Sequence, residues 1–315
     1  MKNTVRNNTL FSRTQHAAGH KATVTGILIL AVLVVLTFVL SACSTAAATP
    51  TEAAATVAAT EAATAVATAE PTKEPIKIKV GVSPVPHGDI INFVKENLAA
   101  AAGLDIEVVE FTDYVQPNLA LAAGEIDANF FQHVPYLTDF NKEHNLELVS
   151  VAAIHIEPLG IFSSKIKSLD EITDGAVVAI PNDATNAGRA LSLLAANGLI
   201  TLKDGVGVSG TVADIVTNPK NLDIKELEAA QLVRSLEDTT ISVINGNYAL
   251  EGGLSPAKDA LALESAENNP YANVLVVNKG HENDEGVQIL IKLLTSPEVK
   301  KFIEEKYSGS VIPAF

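Results

Sequence analysis

The chain has 315 residues, of which 47% are hydrophobic and 19% charged, and its formal net charge is −15 at pH 7. That much apolar material supports a sizeable core, which excludes a wholly disordered chain. A pI near 4.9 argues against nucleic-acid binding, because such binding depends on Lys and Arg neutralising phosphates. A single cysteine excludes an internal disulfide framework and a cysteine-based zinc site.

The N-terminal segment has the features of a secretory signal. Basic residues precede an apolar run from Ile27 to Leu40, which is shorter than the roughly 20 residues that span a bilayer. The run ends in Leu40-Ser41-Ala42-Cys43, which resembles the bacterial lipobox, where cleavage precedes a cysteine that is then acylated. We therefore predict a signal peptide over residues 1–42, and a Cys43 whose acyl chains hold the protein on the extracytoplasmic face of the cell membrane. The alternative is an uncleaved signal anchor with an incidental cysteine.

The residues after Cys43 form a low-complexity segment, which we place at 43–75. Ala and Thr make up 21 of the 32 residues from 44 to 75. Such a tract lacks the large apolar side chains that offset the entropy of ordering the backbone. We expect it to be a flexible tether, and the function to lie in residues 76–315.

From residue 76 onward, strand and helix periodicities alternate. In the first half the patterns predict strands at 76–82, 104–111, 126–130 and 146–154, and helices at 87–102, 117–123 and 134–144. After Pro158 they predict strands at 176–180, 222–227, 241–244 and 273–278, and helices at 186–196, 286–294 and 297–307. This order implies an α/β fold with a largely parallel sheet, built as two lobes that face a cleft.

Signals of enzymatic chemistry are weak. Gly205 to Gly210 matches the spacing of a dinucleotide-binding loop, but it follows Lys203-Asp204 instead of a solid strand, so we expect a glycine-rich turn. The sequence has no nucleophile elbow and no phosphate-binding Walker loop. The histidines of the globular part show no metal-ligand spacing. We therefore predict that the protein is not an enzyme and takes no cofactor and no metal.

An aromatic cluster stands out at a predicted strand-to-helix junction. It runs Phe130-Phe131-Gln132-His133-Val134-Pro135-Tyr136. Ligands of open α/β sheets lie beyond the carboxyl ends of the strands, and aromatic walls with a few polar groups suit an apolar side chain that has a polar end. The alternative is that Phe130 and Phe131 belong to the core and His133 caps the helix, and for Phe130 we favour the core.

Two further polar clusters follow predicted strands. The first is Pro181-Asn182-Asp183-Ala184-Thr185-Asn186-Ala187-Gly188-Arg189, where a helix N-terminus and a guanidinium suit a carboxylate. The second is Asn245-Gly246-Asn247-Tyr248, whose amide oxygens suit an ammonium group. The alternatives are an arginine solvated on its helix and a plain Asn-Gly turn.

At these residues the chain resembles the methionine-binding lipoproteins of bacterial ABC importers, the NlpA type. The resemblance covers about residues 76–315. The matching stretches are Val80-Gly81-Val82-Ser83-Pro84-Val85-Pro86-His87, Asp113-Tyr114-Val115-Gln116-Pro117-Asn118, Phe131-Gln132-His133, Pro135-Tyr136-Leu137, Pro181-Asn182-Asp183, Thr185-Asn186, Gly188-Arg189-Ala190-Leu191 and Asn245-Gly246-Asn247-Tyr248-Ala249. The sequence departs from the usual pattern at Ala184, where Pro is common, and at His155-Ile156-Glu157-Pro158, where Tyr is frequent.

The resemblance implies a two-lobed, type II periplasmic-binding-protein-like fold that closes over one free amino acid. We expect lobe 1 to span residues 76–155 and 250–315, and lobe 2 residues 156–249. The implied ligand contacts comprise a wall for the thioether side chain, a partner for the α-carboxylate, and amides that orient the remaining polar groups. They are, in that order, Tyr114, Phe131, His133 and Tyr136; Arg189; and Asn186 and Asn247. Neither departure is expected to change a ligand contact, although His155 is placed to alter the hinge or the pocket edge.

The implied function is a monomeric receptor that delivers L-methionine to the permease and ATPase of an importer, without turnover. Within this class, the ligand could instead be another apolar amino acid or a methionine-containing dipeptide. A lipid-anchored enzyme or a surface adhesin on the same fold is the alternative from a different class, because a fold does not determine a function.

Overall fold

The computed structural model describes residues 74–315. The predicted signal peptide, the lipidation site Cys43 and the tether as far as residue 73 lie outside the described residues. Between residues 74 and 315, no helix combines the length and the apolar character needed to cross a bilayer.

Strands and helices alternate along most of this range. The strands are β1 (Ile76–Val82), β2 (Leu104–Glu110), β3 (Ala128–His133), β4 (Leu148–Ile156), β5 (Gly160–Phe162), β6 (Val177–Pro181), β7 (Thr201–Leu202), β8 (Ile215–Thr217), β9 (Asp223–Leu227), β10 (Ile241–Ile244), β11 (Ala262–Leu263), β12 (Ala272–Asn278) and β13 (Ile312–Pro313). The helices are α1 (Asp89–Val94), α2 (Gln116–Ala122), α3 (Val134–His144), α4 (Ala184–Ala196), α5 (Leu232–Ser235), α6 (Gly246–Glu251), α7 (Pro256–Asp259), α8 (Glu285–Leu294) and α9 (Pro297–Tyr307). Helical turns continue α1 as far as Ala102, and Gly103 then ends them in the left-handed conformation.

Lobe 1 is built on a six-stranded sheet with the order β13-β4-β12-β3-β1-β2. β1 pairs in parallel with β2 and β3, whereas β12 runs antiparallel between β3 and β4. The expected largely parallel sheet is therefore a mixed sheet. A buried strand has the same apolar composition in either direction, so its pattern could not give the orientation of β12.

Lobe 2 is built on a five-stranded sheet with the order β11-β5-β10-β6-β9. β10, β6 and β9 are parallel, and the short β5 pairs antiparallel with β10 on one side and with the edge strand β11 on the other. This sheet extends past the predicted lobe boundary at residue 249, because β11 belongs to it. The chain passes between the two sheets at residues 157–159 and again at 264–271.

Each lobe has its own apolar core. In lobe 1 the buried side chains of β1, α1, α8 and α9 pack around Phe130, which is fully buried as expected for a core residue. In lobe 2 the leucines of α4 pack on β6 and β10. These separate cores hold the carboxyl ends of β3, β6 and β10 in fixed positions, and the predicted site residues lie there.

The glycine-rich stretch at 205–210 forms tight turns after β7, and no long helix follows it. Its backbone lies against α4 at Gly188, where a Cβ atom would overlap the carbonyl oxygen of Val208. The stretch is therefore a packing loop, as the sequence indicates. Glycine at position 188 allows the loop and the helix to approach this closely.

Candidate ligand-binding cavity

A narrow cavity lies between the two lobes, and its free volume in this conformation is about 20 Å³, room for about one water molecule. All seven predicted site residues line it: Tyr114, Phe131, His133, Tyr136, Asn186, Arg189 and Asn247. Five further residues line it: Gln132, Asn245 and Gly246, which belong to the predicted clusters, and Glu157 and Asn273, which the sequence analysis did not propose as site residues. The structure thus brings together side chains that lie more than 130 positions apart in the sequence.

Both lobes contribute to the cavity wall. β3 and the start of α3 supply Phe131, His133 and Tyr136 from lobe 1, and the loop after β2 supplies Tyr114. Lobe 2 supplies two residues from the first turns of α4 and one from α6. The wall is therefore complete only when the lobes face each other as they do here.

Three aromatic rings form one side of the cavity. The ring centroids of Tyr114 and Phe131 are 6.0 Å apart, those of Tyr114 and Tyr136 5.8 Å, and those of Phe131 and Tyr136 6.1 Å. Phe131 is 3% exposed and Tyr136 8%. The Tyr136 hydroxyl donates to the backbone carbonyl of Tyr114 at 2.9 Å, which fixes the two rings relative to each other. This wall suits a slender apolar or thioether side chain.

His133 connects the lobes through both of its ring nitrogens. Nδ1 accepts a hydrogen bond from the backbone N–H of Tyr136 at 3.2 Å and so caps α3. The proton must then be on Nε2, which lies 3.2 Å from Oδ1 of Asn186 on the other lobe. Burial, and then the charge of Arg189, lowers the pKa of His133 to about 3, so the ring is neutral. His133 is a helix cap, as the alternative held, and also a member of the wall.

Asn186 is held on the opposite side by Asp183, the N-cap of α4. Its Nδ2 lies 3.0 Å from each carboxylate oxygen of Asp183, and its Oδ1 also accepts from Nδ2 of Asn245 at 3.0 Å. Burial raises the pKa of Asp183. The Asn186 side chain therefore already has protein partners at both ends, and it orients His133 and Asn245 around the cavity.

Arg189 is 4% exposed and tied to both segments that join the lobes. Its Nε and Nη2 donate to the carboxylate of Glu264 at 2.8 and 2.5 Å, and Nη2 also donates to the backbone carbonyl of Glu157 at 2.8 Å. Its Cζ lies 4.2 Å from the ring centroid of Tyr271. Glu264 occupies the Nε–Nη2 edge of the guanidinium in this structure, and the pairing of Arg189 with a ligand carboxylate stays a prediction. Nη1 takes no part in the hydrogen bonds among the described residues.

Two neighbouring asparagines carry buried polar atoms without a partner among the described residues. They are Oδ1 of Asn245, an acceptor, and Nδ2 of Asn247, a donor. The remaining amide atoms are engaged: Oδ1 of Asn247 accepts from the Tyr114 hydroxyl at 2.5 Å, across the lobes. The alternative of a plain Asn-Gly turn is incomplete, because Asn245 and Gly246 also form the start of α6. Such unsatisfied groups are expensive to bury, so they mark places for ligand atoms.

Glu157 is a site residue that the sequence analysis missed. It lies in the first connection between the lobes and accepts from His155 Nε2 at 2.6 Å, with His87 Nε2 at 3.3 Å from the same oxygen. Burial lowers the pKa of His87 to about 4 and that of His155 to about 3, and it raises the pKa of Glu157. The available signal was the spacing of His155 and Glu157, because residues two apart in an extended segment face the same side.

This trio is the group in the described part of the chain whose donor atoms could hold a metal ion, since one atom from each lies within 4.8 Å of the others. Its geometry has a simpler account. Both histidine Nε2 atoms are directed at the same carboxylate oxygen, as two N–H donors would be.

Comparison with known proteins places this geometry in context. Residues 78–315 match the NlpA lipoprotein family. The chain belongs to the NlpA lipoprotein family. The resemblance noted in the sequence is thereby confirmed.

Three proteins similar in sequence to this chain have names or titles that state a ligand or a transporter role. The D-methionine-binding lipoprotein MetQ of Escherichia coli K12 is 46% identical over 237 residues, covering 75% of this chain and 87% of the relative. A nutrient-binding protein from Burkholderia cenocepacia, solved bound to methionine, is 46% identical with a TM-score of 0.73, covering 76% of this chain and all of that one. A periplasmic substrate-binding protein of an ABC transporter from Coxiella burnetii is 40% identical with a TM-score of 0.72, covering 75% of this chain and all of that one. These NlpA relatives confirm the expected two-lobed periplasmic-binding-protein-like fold.

Proposed function

We propose that this protein is a solute-binding lipoprotein that captures methionine and delivers it to an ABC importer. The observation that carries the proposal is the pairing of an aromatic wall with two orphaned amide atoms of opposite type, Oδ1 of Asn245 and Nδ2 of Asn247, in one cavity. A free amino acid offers an ammonium donor and a carboxylate acceptor on one carbon. It therefore satisfies both atoms at once.

The carboxylate partners follow from which donors remain. Nδ2 of Asn247 is a buried cavity donor without a partner among the described residues, and Nη1 of Arg189 is a second cavity donor that makes no hydrogen bond with them. We assign the ligand carboxylate to these two atoms, with the cation supplying the charge. Asn186 takes an indirect role, because its oxygen already accepts from His133 and Asn245.

The side chain of the ligand would lie against Tyr114, Phe131 and Tyr136, with the ring of His133 at the edge. Sulfur against aromatic rings contributes about 0.3–1.5 kcal/mol per contact, which favours methionine over a purely aliphatic residue of similar length. The E. coli relative is named for D-methionine and the Burkholderia structure contains methionine. We expect the L form to bind, and the D form is part of the test.

We infer binding without turnover. The cavity wall, as the described residues define it, contains no serine, threonine, cysteine or lysine that could act as a nucleophile. Both nitrogens of its histidine are already hydrogen-bonded. Hydrogen bonds that cross between lobes, from Tyr114 to Asn247 and from Tyr248 to the carbonyl of Thr112, fit a receptor that encloses its ligand.

The proposal extends to the membrane. Acylation at Cys43 would hold the protein on the extracytoplasmic face of the cell membrane, and the Ala/Thr-rich tether would let the lobes reach the permease and its ATPase. We propose that it acts there as a monomer, with the ligand as its one small-molecule partner.

The test is calorimetric titration of the purified protein, unfolded and refolded beforehand to remove carried-over ligand. L-methionine should bind one to one with sub-micromolar affinity, while leucine and glycine bind much more weakly. D-methionine and methionine-containing dipeptides are titrated in parallel. Absence of heat with either methionine isomer would refute the ligand, and a tighter dipeptide would replace it.

A further inference from the structure

The cavity wall contains one acidic and one permanently basic side chain. Among its described lining residues, Glu157 is the carboxylate and Arg189 the guanidinium. Arg189 is neutralised by Glu264, which lies outside the wall. Glu157 forms no ion pair with a lysine or arginine among the described residues, and the two histidines at its carboxylate are kept neutral by burial. The charge of Arg189 and the backbone N–H of Asn247 favour its ionised form.

The carboxylate of Glu157 is held by residues from two distant parts of the fold. His87, at the turn after β1, and His155, at the end of β4, both direct Nε2 at Oε1. His87 Nε2 is also 3.0 Å from Oδ1 of Asn273. The Nδ1 atoms of both rings are buried without a partner, so the proton of each neutral ring is on the nitrogen that faces the acceptor.

The other carboxylate oxygen of Glu157, Oε2, lies against Gly246 at the start of α6. A Cβ atom at Gly246 would lie 2.8 Å from Cβ of Glu157 and 3.1 Å from its Oε2. Glycine at this position therefore lets the carboxylate lie directly beside Asn245 and Asn247 in the cavity. Asn245 presents its orphaned oxygen in the same wall.

We propose that Glu157 binds the α-ammonium group of the ligand, together with Oδ1 of Asn245, and that His87 and His155 are positioning residues for its carboxylate. This assignment rests on the proposed function and adds to it the group that recognises the amine. The two histidines donate to one oxygen and fix the rotamer, while Oε2 and the neighbouring amide oxygen face the ligand. An ammonium ion is a cation of the right size and donor number for this pair of acceptors.

The chemistry explains why neutral histidines are used. Burial raises the pKa of Glu157, whereas a cation brought into the cavity favours the charged carboxylate. A positively charged histidine would already neutralise the carboxylate and compete with the ligand. Neutral N–H donors orient Glu157 without cancelling its charge, so the pocket keeps a net attraction for an amine.

The assignment is tested with a ligand that lacks only the amine. 4-(Methylthio)butanoate has the thioether chain and the carboxylate of methionine without its ammonium group. The quantity compared is the Kd of this analogue divided by the Kd of methionine, both measured by calorimetry. It is determined for the unchanged full-length protein, for Glu157→Gln, and for the control Glu226→Gln on the exposed face of β9. Thermal unfolding of each variant shows that the compared proteins are folded.

We expect Glu157→Gln to weaken methionine binding at least tenfold and to leave binding of the deaminated analogue unchanged, so the ratio falls. The control should keep the ratio of the unchanged protein. His155→Gln, which keeps an N–H donor, should lower the ratio less than His155→Phe does. A merely structural role for Glu157 would weaken both ligands alike.

A second measurement does not depend on the stability of a variant. In a crystal structure of the unchanged protein with methionine, the ligand nitrogen should lie about 2.7–2.9 Å from a carboxylate oxygen of Glu157. An unchanged ratio in a folded Glu157→Gln, or a ligand nitrogen directed elsewhere, would overturn the assignment and leave methionine binding intact. A protein that binds no amino acid would overturn the proposed function itself. Stoichiometric zinc in the purified protein would also overturn the assignment, because the Nε2 atoms would then be metal ligands.

Discussion

Replacing Arg189 with alanine tests ligand binding and the stability of the fold together. The guanidinium makes three hydrogen bonds, two to Glu264 and one to the backbone carbonyl of Glu157, so the change affects the fold as well as the cavity. Removing one partner of a buried ion pair costs about 3–5 kcal/mol. The side chain of Glu264 is 16% exposed and can regain water, so we expect the lower end, about 3 kcal/mol of unfolding free energy.

The loss of affinity has a different source. If the ligand carboxylate uses Nη1, Arg189→Ala removes a charge-assisted hydrogen bond that contributes about 1.5–3 kcal/mol, or about 10- to 150-fold in Kd. The matched variant is the double mutant Arg189→Ala/Glu264→Gln, in which the carboxylate left behind is no longer charged. It should regain about 1–2 kcal/mol of stability and none of the affinity.

Urea unfolding followed by circular dichroism gives the stability of each variant, and calorimetry with L-methionine gives the affinity. Both are measured where every variant is folded. A folded Arg189→Ala with the Kd of the unchanged protein would refute the carboxylate assignment. An equal loss of stability in the single and double mutants would refute the role given to Glu264.

Other changes test the cavity and its supports. Tyr114→Phe removes the hydroxyl that bonds across the lobes and leaves the aromatic wall in place. It should weaken methionine binding about 2- to 13-fold, from the loss of ~0.5–1.5 kcal/mol, and an unchanged Kd by calorimetry would contradict this. Tyr248→Phe, outside the wall, removes another bond between the lobes and should have the smaller effect on the same measurement. Gly188→Ala should lower the free energy of unfolding, measured in urea, by about 1–3 kcal/mol, because the new Cβ would overlap the backbone of the packing loop. Equal stability would show that the loop moves away from α4 at no cost. His155 has a folded-state pKa of about 3, below its ordinary 6.5, so between these values the unfolded chain binds the proton and acid lowers stability. The stability difference between the unchanged protein and His155→Phe should therefore shrink by up to about 1.4 kcal/mol per pH unit from pH 6 to 4, and a difference that grows on acidification would refute a neutral, buried ring.

Local signals were strong enough to predict most elements. The bounds of α3, α9 and β10 agree with the sequence pattern, since proline near the start and left-handed residues at the end delimit the two helices. β3 and β4 extend two or more residues beyond their predicted ends. Pairing with β12 extends them, and nothing in their own sequences encodes this contact.

The cavity was predictable where its residues follow strands or match a family motif, and not where its partners come from distant segments. Arg189 and Glu264 are 75 positions apart, and no periodicity links them. His87 and Glu157 meet only because β1 and the end of β4 lie in the same sheet, three strands apart in its order. The sequence alone therefore indicated that Arg189 could bind a ligand, but it could not show that Glu264 accepts hydrogen bonds from its Nε and Nη2.

The order of strands in the two sheets has a consequence for how the chain acquires its structure during synthesis. The sheet of lobe 2 is complete once Leu263 has been made, and its strands are contiguous from β5 to β11 apart from the separate β7–β8 pair. The sheet of lobe 1 lacks an inner strand until β12 arrives near the C-terminus, which leaves β3 and β4 with open edges. Domains fold as units as their residues become available, so the sheet formed by residues 160–263 closes first and the N-terminal strands of lobe 1 wait for β12.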